Sequence, residues 1–162
     1  MTTEEALLSA LDMEHRVRDH YARAAERTEE DVANRFFAAM AIEEQLHVDY
    51  LKSFLGKWQK QGELDTVIIL TAIPDKVWID EAWNKMKKVE LQQDFSGELE
   101  LLREAAKLEK TVYKMYRDFV DTLDSDAQEL FKQFLEIEDG HTFMVEVQIR
   151  AIEKMNQLID IG

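Results

Sequence analysis

The sequence predicts an all-α protein, a bundle of four long helices with one long crossover between the second and the third. Three observations carry that reading. Proline occurs once and glycine five times in 162 residues, while 33% of the residues are charged, many within apolar patterns repeating every three or four positions. That is the composition and period of long amphipathic helices. Helix-start signals punctuate the chain at four places, and only the stretch between the second and third helices departs from the helical period.

Thr2 and Glu5 make the Thr-x-x-Glu pattern of a capping box and open a first helix that runs to about Arg27. Thr28 with Asp31 restarts the chain as a second helix reaching about Gln61, with Gly62 past its end, where a left-handed residue commonly terminates a helix. Residues 63 to about 95 read as a connection, not a second domain: TVIILTAIPDKVW is β-branched and contains Pro74, and DEAWNKMKKVEL can form a short helix. Ser96 can cap a third helix extending to Leu123, and Ser125 with Gln128 repeats the capping-box pattern before a fourth helix running to about Leu158. Residues 1–162 are thus expected to form a single domain, of a size that buries roughly 70% of the unfolded chain's surface.

Charge and composition exclude several function classes. A formal net charge of −14 argues against nucleic acid as a partner, because a grip on phosphates needs clustered Lys and Arg. No apolar run reaches the roughly 18 residues of a membrane span, and MTTEEALLSALDMEH lacks the basic and apolar regions of a secretory signal. No membrane association and a cytoplasmic location are the expectation. Cysteine is absent, which rules out disulfides, thiolate chemistry and a four-thiolate iron centre within this chain. Any metal must be held through nitrogen and oxygen.

The apolar stripes carry the functional signal. In the second helix a step of three or four gives Phe37, Met40, Glu44, His47, Leu51, Phe54 and Trp58; in the fourth it gives Phe131, Phe134, Glu138, His141, Val145 and Ile149. Both stripes are interrupted by Glu-x-x-His. The first helix gives Leu7, Ala10, Glu14, Val17, Tyr21 and Ala24, and the third gives Leu102, Ala105, Glu109, Val112, Tyr116 and Phe119. Each of these contains one Glu with a Tyr seven residues later. A shift of 95 residues superposes the first stripe on the third, and a shift of 94 superposes Phe37, Glu44 and His47 on Phe131, Glu138 and His141. The chain is an internal repeat. Glu43 could share a face with His47, but its counterpart in the other half is Ile137, so Glu44 is the better ligand candidate.

A single Glu-x-x-His on a helix is most often a solvated or hydrogen-bonded pair. Two of them, with matched Glu and Tyr partners, place four carboxylates in one apolar interior, where an unpaired ionised carboxylate costs several kcal/mol. Cations offset that cost, and four carboxylates with two imidazoles suit two first-row ions, with carboxylates able to bridge. Clustering also favours proton uptake by some of the carboxylates. Glu138→Gln is therefore expected to weaken metal binding and to leave the metal-free protein as stable or more so.

MEHRVRDHY, IEEQLH, KLEKTVYKMY and IEDGH together resemble the ferritin-like superfamily, and its rubrerythrin branch in particular. One Glu from each of two helices plus Glu-x-x-His from each of the other two is the known pattern of ferritin-like di-iron proteins. Carried over residue by residue, the resemblance implies that Glu14, Glu44, His47, Glu109, Glu138 and His141 hold two iron ions per chain, with Fe/Fe favoured and Mn/Fe the alternative. Whether Glu44 and Glu109 bridge or are terminal stays open. By the same likeness Tyr21 and Tyr116 stand beside the centre as hydrogen-bonding or redox-protecting groups; the plainer reading is core packing with a satisfied hydroxyl.

The activity so implied is that of a non-haem di-iron oxidoreductase with peroxide or O2 as substrate, since two Fe(II) ions with open positions can give one electron each. A ferroxidase or iron-binding protein of the ferritin type is the nearer alternative, and a non-catalytic helical bundle acting through protein contacts is the one of a different class. Two departures qualify the likeness. Rubrerythrins proper carry a four-cysteine rubredoxin-like domain, which this chain lacks, so a separate electron-donor protein is expected. They also carry an additional Glu three residues after the first on the third helix, where this sequence has Val112, which implies a centre less specialised for peroxide over O2.

In ferritin-like bundles the second and third helices run parallel, so residues 63–95 would carry the chain back along a bundle about 38 Å long. Trp78, Trp83 and TVIIL are more apolar than a tether requires; they cover the bundle's flank or help build a homodimer, the assembly expected. Neither His15 nor His20 follows a Glu by three residues, and His15 points about 100° away from Glu14, toward the surface.

Overall fold

The computed structural model describes residues 1–29, 31–65, 69–71 and 96–160. Four helices follow in order: α1 (Thr3–Arg27), α2 (Asp31–Gln61), α3 (Ser96–Thr122) and α4 (Ser125–Asp160). The short helix expected from DEAWNKMKKVEL, Trp78, Trp83 and most of TVIIL lie outside the described residues.

The helix ends show which local signals act. At α1 the capping box forms as expected: the Thr2 N–H donates to Glu5 Oε2 at 2.7 Å and the Glu5 N–H donates to Thr2 Oγ1 at 3.2 Å. Thr28 behaves differently. Its buried hydroxyl donates to the Ala24 carbonyl at 2.7 Å, closing α1 by a backward bond. Asn34 joins the two helices, its amide reaching the Ala25 and Thr28 carbonyls at 2.6 and 3.3 Å, which the end of α1 leaves without helical partners. Gly62, at φ 68°, donates its N–H to the Trp58 carbonyl at 2.8 Å, so the left-handed residue stops α2 where expected. At the next corner the Asp124 carbonyl accepts the first bond of α4 from the Gln128 N–H at 3.1 Å. The Gln128 amide meanwhile donates to the Val120 carbonyl at 2.8 Å. Asp124 therefore holds the cap position, one residue before the Ser125 read from sequence.

Helix directions follow from the cross-links. Gln59 meets Glu4 at 2.8 Å and Arg18 meets Gln45 at 2.9 Å, so α1 and α2 are antiparallel. Arg103 meets Glu153 at 3.0 Å while Gln128 meets Val120 at 2.8 Å, so α3 and α4 are antiparallel too. Tyr21 bonds Glu109 and Tyr116 bonds Glu14, which makes α1 antiparallel to α3. Hence α2 and α3 run parallel, and the end of one lies at the opposite end of the bundle from the start of the other. The described part of the connection starts back alongside α2: Lys57 pairs with Asp65, the Leu70 N–H lies 3.4 Å from the Tyr50 hydroxyl, and the Thr71 hydroxyl donates to Glu43. This is the all-α four-helix bundle that the stripes imply, with the helix directions that the ferritin-like resemblance implies. Among the described residues, no helix is long and apolar enough to cross a membrane.

The four stripes converge on one core, whose largest fully buried side chains include Tyr21, Tyr116, Phe37, Phe54, Phe131 and Phe134. Trp58 and Ile149, at the ends of their stripes, are only partly buried. Phe134 ties the apolar core to its polar centre, stacking on Tyr116 at 5.1 Å and meeting the His47 ring edge-on at 5.6 Å. Phe134→Ala is expected to cost about 3–5 kcal/mol, through lost transfer energy and a cavity that the bundle cannot fill. Urea denaturation measures it; a cost below about 1 kcal/mol would mean the core relaxes around the gap.

Candidate metal centre

Each helix brings to the middle of the bundle the residues that its stripe places there. Glu14 on α1, Glu44 and His47 on α2, Glu109 on α3, and Glu138 and His141 on α4 are all 0–1% exposed. Glu44, His47, Glu138 and His141 form the tightest group, each offering a donor atom within 4.8 Å of those of the others.

The two imidazoles lie parallel, with ring centroids 5.1 Å apart and planes 1° from parallel. Their Nδ1 edges face the carboxylates. His47 Nδ1 lies 3.1 Å from Glu44 Oε2, 3.3 Å from Glu138 Oε1 and 3.5 Å from Glu14 Oε2. His141 Nδ1 lies 2.8 Å from Glu44 Oε1, 3.4 Å from Glu138 Oε2 and 3.9 Å from Glu109 Oε2. Glu44 and Glu138 thus give one oxygen to each imidazole, whereas Glu14 stands only on the His47 side and Glu109 only on the His141 side. The geometry separates two spanning carboxylates from two flanking ones, a division that the sequence left open.

The outer oxygens of the flanking pair are held by the tyrosines, in a crossed pattern. The Tyr21 hydroxyl donates to Glu109 Oε1 and the Tyr116 hydroxyl donates to Glu14 Oε1, both at 2.5 Å. Burial, and then the neighbouring carboxylates, push both phenols well above their usual pKa, so they stay protonated donors.

What remains are Glu14 Oε2, both oxygens of Glu44, Glu109 Oε2, both oxygens of Glu138 and the Nδ1 and Nε2 atoms of both histidines, all buried and without a hydrogen-bond partner. The close Nδ1 contacts are ion-pair distances without an aligned hydrogen bond. Such groups are rarely left unsatisfied in native proteins, and oxygen and imidazole nitrogen aimed at a common volume are the donor set of a first-row metal pair. The residues fit bound metal.

Electrostatics sort the six groups. Burial raises Glu14, to about 8, with Glu138 adding to the shift. Burial likewise lifts Glu109 well above the carboxylate range, reinforced by Glu44. For Glu44 and Glu138 burial acts in the same direction but is outweighed, by His141 first and His47 after it, and both carboxyls end below their usual range. Burial would lower the two histidines, yet the carboxylates around them raise both well above 6.5. The shifts thus favour the charged forms of the two histidines and of Glu44 and Glu138, and the protonated forms of Glu14 and Glu109.

All six ligands read from sequence meet here, with Tyr21 and Tyr116 beside them. Val112 is fully buried in the adjoining core. His20 is not part of the centre: it is buried at the seam of α1 and α3, its Nε2 3.1 Å from the Leu101 carbonyl oxygen. One residue set aside on sequence, Glu43, is 2% exposed and lies behind both imidazoles, its Oε1 3.9 Å from His47 Nε2 and 3.7 Å from His141 Nε2. Its spacing of four residues before His47 was the available signal; the broken repeat at Ile137 hid it.

The family model described as Rubrerythrin matches residues 5–147 of the chain. No curated protein and no solved structure matches it.

Proposed function

Since the chain belongs to the rubrerythrin family, we propose that it is a non-haem dimetal oxidoreductase that reduces peroxide or O2, with Fe/Fe the favoured pair and Mn/Fe the alternative. In this reading Glu14, Glu44, His47, Glu109, Glu138 and His141 would hold the ions, with Glu44 and Glu138 facing both imidazoles, Glu14 on the His47 side and Glu109 on the His141 side. The observation that carries it is the convergence of unpartnered donor atoms from all four helices. Two ferrous ions bound there supply the two electrons that cleave an O–O bond or reduce O2 to peroxide. The protein's part is orientation. Tyr116 and Tyr21 fix the outer oxygens of Glu14 and Glu109 so that the inner oxygens face the ions, and Phe134 and the surrounding core exclude bulk water. At the register where an additional carboxylate would sit, Val112 offers no donor. With no cysteine in the chain, electrons come from a separate donor protein.

The test is anaerobic loading with Fe(II), followed by mixing with peroxide or with O2. Rapid oxidation of about two irons per chain, with turnover once a reductant is supplied, is the expected result. Irons that oxidise and accumulate beyond that number would instead mark a ferroxidase, and absence of bound metal would mark a bundle acting through protein contacts. His47→Ala and His141→Ala should each leave about one tightly held ion, and the double variant none, because each imidazole serves one position. Two ions retained by both single variants would sink the ligand assignment.

A further inference from the structure

Glu43 has no place in the ligand set, yet it is the carboxylate on which both imidazoles turn their other edge. The Nδ1 atoms face Glu44 at 3.1 and 2.8 Å, while the Nε2 atoms face Glu43 Oε1 at 3.9 and 3.7 Å. We infer that Glu43 is a positioning residue shared by both histidines, its carboxylate taking the Nε2–H of His47 and of His141 and so presenting both Nδ1 lone pairs to metal ions. This rests on the dimetal reading.

Three observations support it. A neutral imidazole carries its proton on one nitrogen and its lone pair on the other, so an acceptor at Nε2 selects the tautomer that binds metal through Nδ1. Outer carboxylates that take the second N–H of a metal-bound imidazole orient the ring and raise its basicity. The rings are parallel and stacked, so one oxygen can lie nearly equidistant from both Nε2 atoms, as Glu43 Oε1 does. Both contacts, at 3.9 and 3.7 Å, are longer than a hydrogen bond, and closing them takes about 0.5 Å or more of side-chain movement at each.

The internal repeat explains why one carboxylate serves two rings. The position matching Glu43 in the second half is Ile137, a partly buried apolar side chain packed against the core. His141 therefore relies on the first half's carboxylate, across the bundle. Glu43 is itself held from outside the four helices, by the Thr71 hydroxyl, which donates to the same Oε1. The start of the crossover thereby braces the face of the imidazoles turned away from the ions.

Titration of the full chain with Zn(II), read by calorimetry and by 15N chemical shifts of the imidazoles, tests the assignment. The wild type should bind two Zn(II), and both loaded imidazoles should show Nε2 protonated and Nδ1 bound. Glu43→Gln keeps the shape and a single neutral acceptor, and should weaken both Zn(II) positions together, by about tenfold or more. Glu43→Ala should weaken both further. Coordination of either imidazole through Nε2 in the wild type would overturn the inference without any variant, as would affinities unchanged in Glu43→Gln or weakened at one position only. Failure of the wild type to bind Zn(II) would instead remove the dimetal reading, and this inference with it.

Discussion

Loading the protein with two divalent ions near pH 7 should release about four protons, one each from Glu14, Glu109, His47 and His141. The count follows from the sorting of charges in the centre. Before loading, the shifts favour two imidazolium cations facing ionised Glu44 and Glu138, with Glu14 and Glu109 protonated, a sum of zero over these six groups. After loading, four carboxylates and two neutral imidazoles surround two dications, and the net charge is zero again. With two protons leaving per ion, affinity should rise by about a hundredfold per pH unit, flattening as pH passes through about 8, where Glu14 loses its proton unaided. Calorimetry in buffers of different ionisation enthalpy measures the release directly. Release of fewer than about two protons, or an affinity indifferent to pH, would contradict the assignment.

The same shifts set the pH dependence of folding, with opposite signs for the two kinds of group. Glu14 is raised from 4.5 to about 8, so its contribution is fully present below its unfolded pKa and is lost as pH rises through that window; Glu109 and the two histidines, also raised, act in the same direction. Glu44 and Glu138 are lowered, so their contribution is present above the unfolded value and lost only in strong acid. The thermal midpoint of the metal-free protein should therefore fall between pH 5 and pH 9, and bound metal should oppose that fall by stabilising the native state.

Glutamine scanning of the carboxylates should divide them into two classes. Glu14→Gln and Glu109→Gln replace carboxyls that already hold protons, so the metal-free protein should be as stable as the wild type at pH 6 and more stable at pH 9. Each should also lower affinity for the ion on its own side by about a hundredfold. Glu138→Gln removes one of two carboxylates that offset two imidazolium cations. Breaking a buried pair in this way costs about 3–5 kcal/mol, so the metal-free protein should lose stability as well as metal. Thermal melts of the metal-free variants across pH provide the comparison. Equal behaviour of the three variants would show that burial, not pairing, governs the carboxylates.

The sequence alone places the stability-sparing substitution at Glu138, whereas the charges in the folded centre favour Glu14 and Glu109 for it. Periodicity identifies which side chains share a stripe, but all four glutamates look alike on that basis. Only the distances show that Glu44 and Glu138 span the imidazoles while Glu14 and Glu109 flank them. The helices were legible because Thr2, Glu5 and Gly62 act through local geometry. The six candidate ligands were legible because each interrupts an apolar stripe and has its counterpart in the other half. The backward bond of Thr28 to Ala24 was not legible, because a hydroxyl can serve the helix behind it as well as the one ahead. Glu43 was passed over because the comparison of halves that singled out Glu44 is blind to a residue serving both halves from one.

The crossed tyrosine bonds bear on how the two hairpins find their alignment. The apolar stripes of α1 and α3 repeat every turn, so a slip of one turn, about 5.4 Å, would still set small and branched side chains against one another. Hydrophobic contact therefore discriminates weakly between neighbouring registers. Tyr21 reaches Glu109 and Tyr116 reaches Glu14 in one alignment only, and any slip strands two phenols and two carboxyls together in a dry interior, where unsatisfied polar groups are costly. The hairpins are thus drawn together by grease but keyed by four polar atoms, which align the frame of the candidate centre through the protein's own groups.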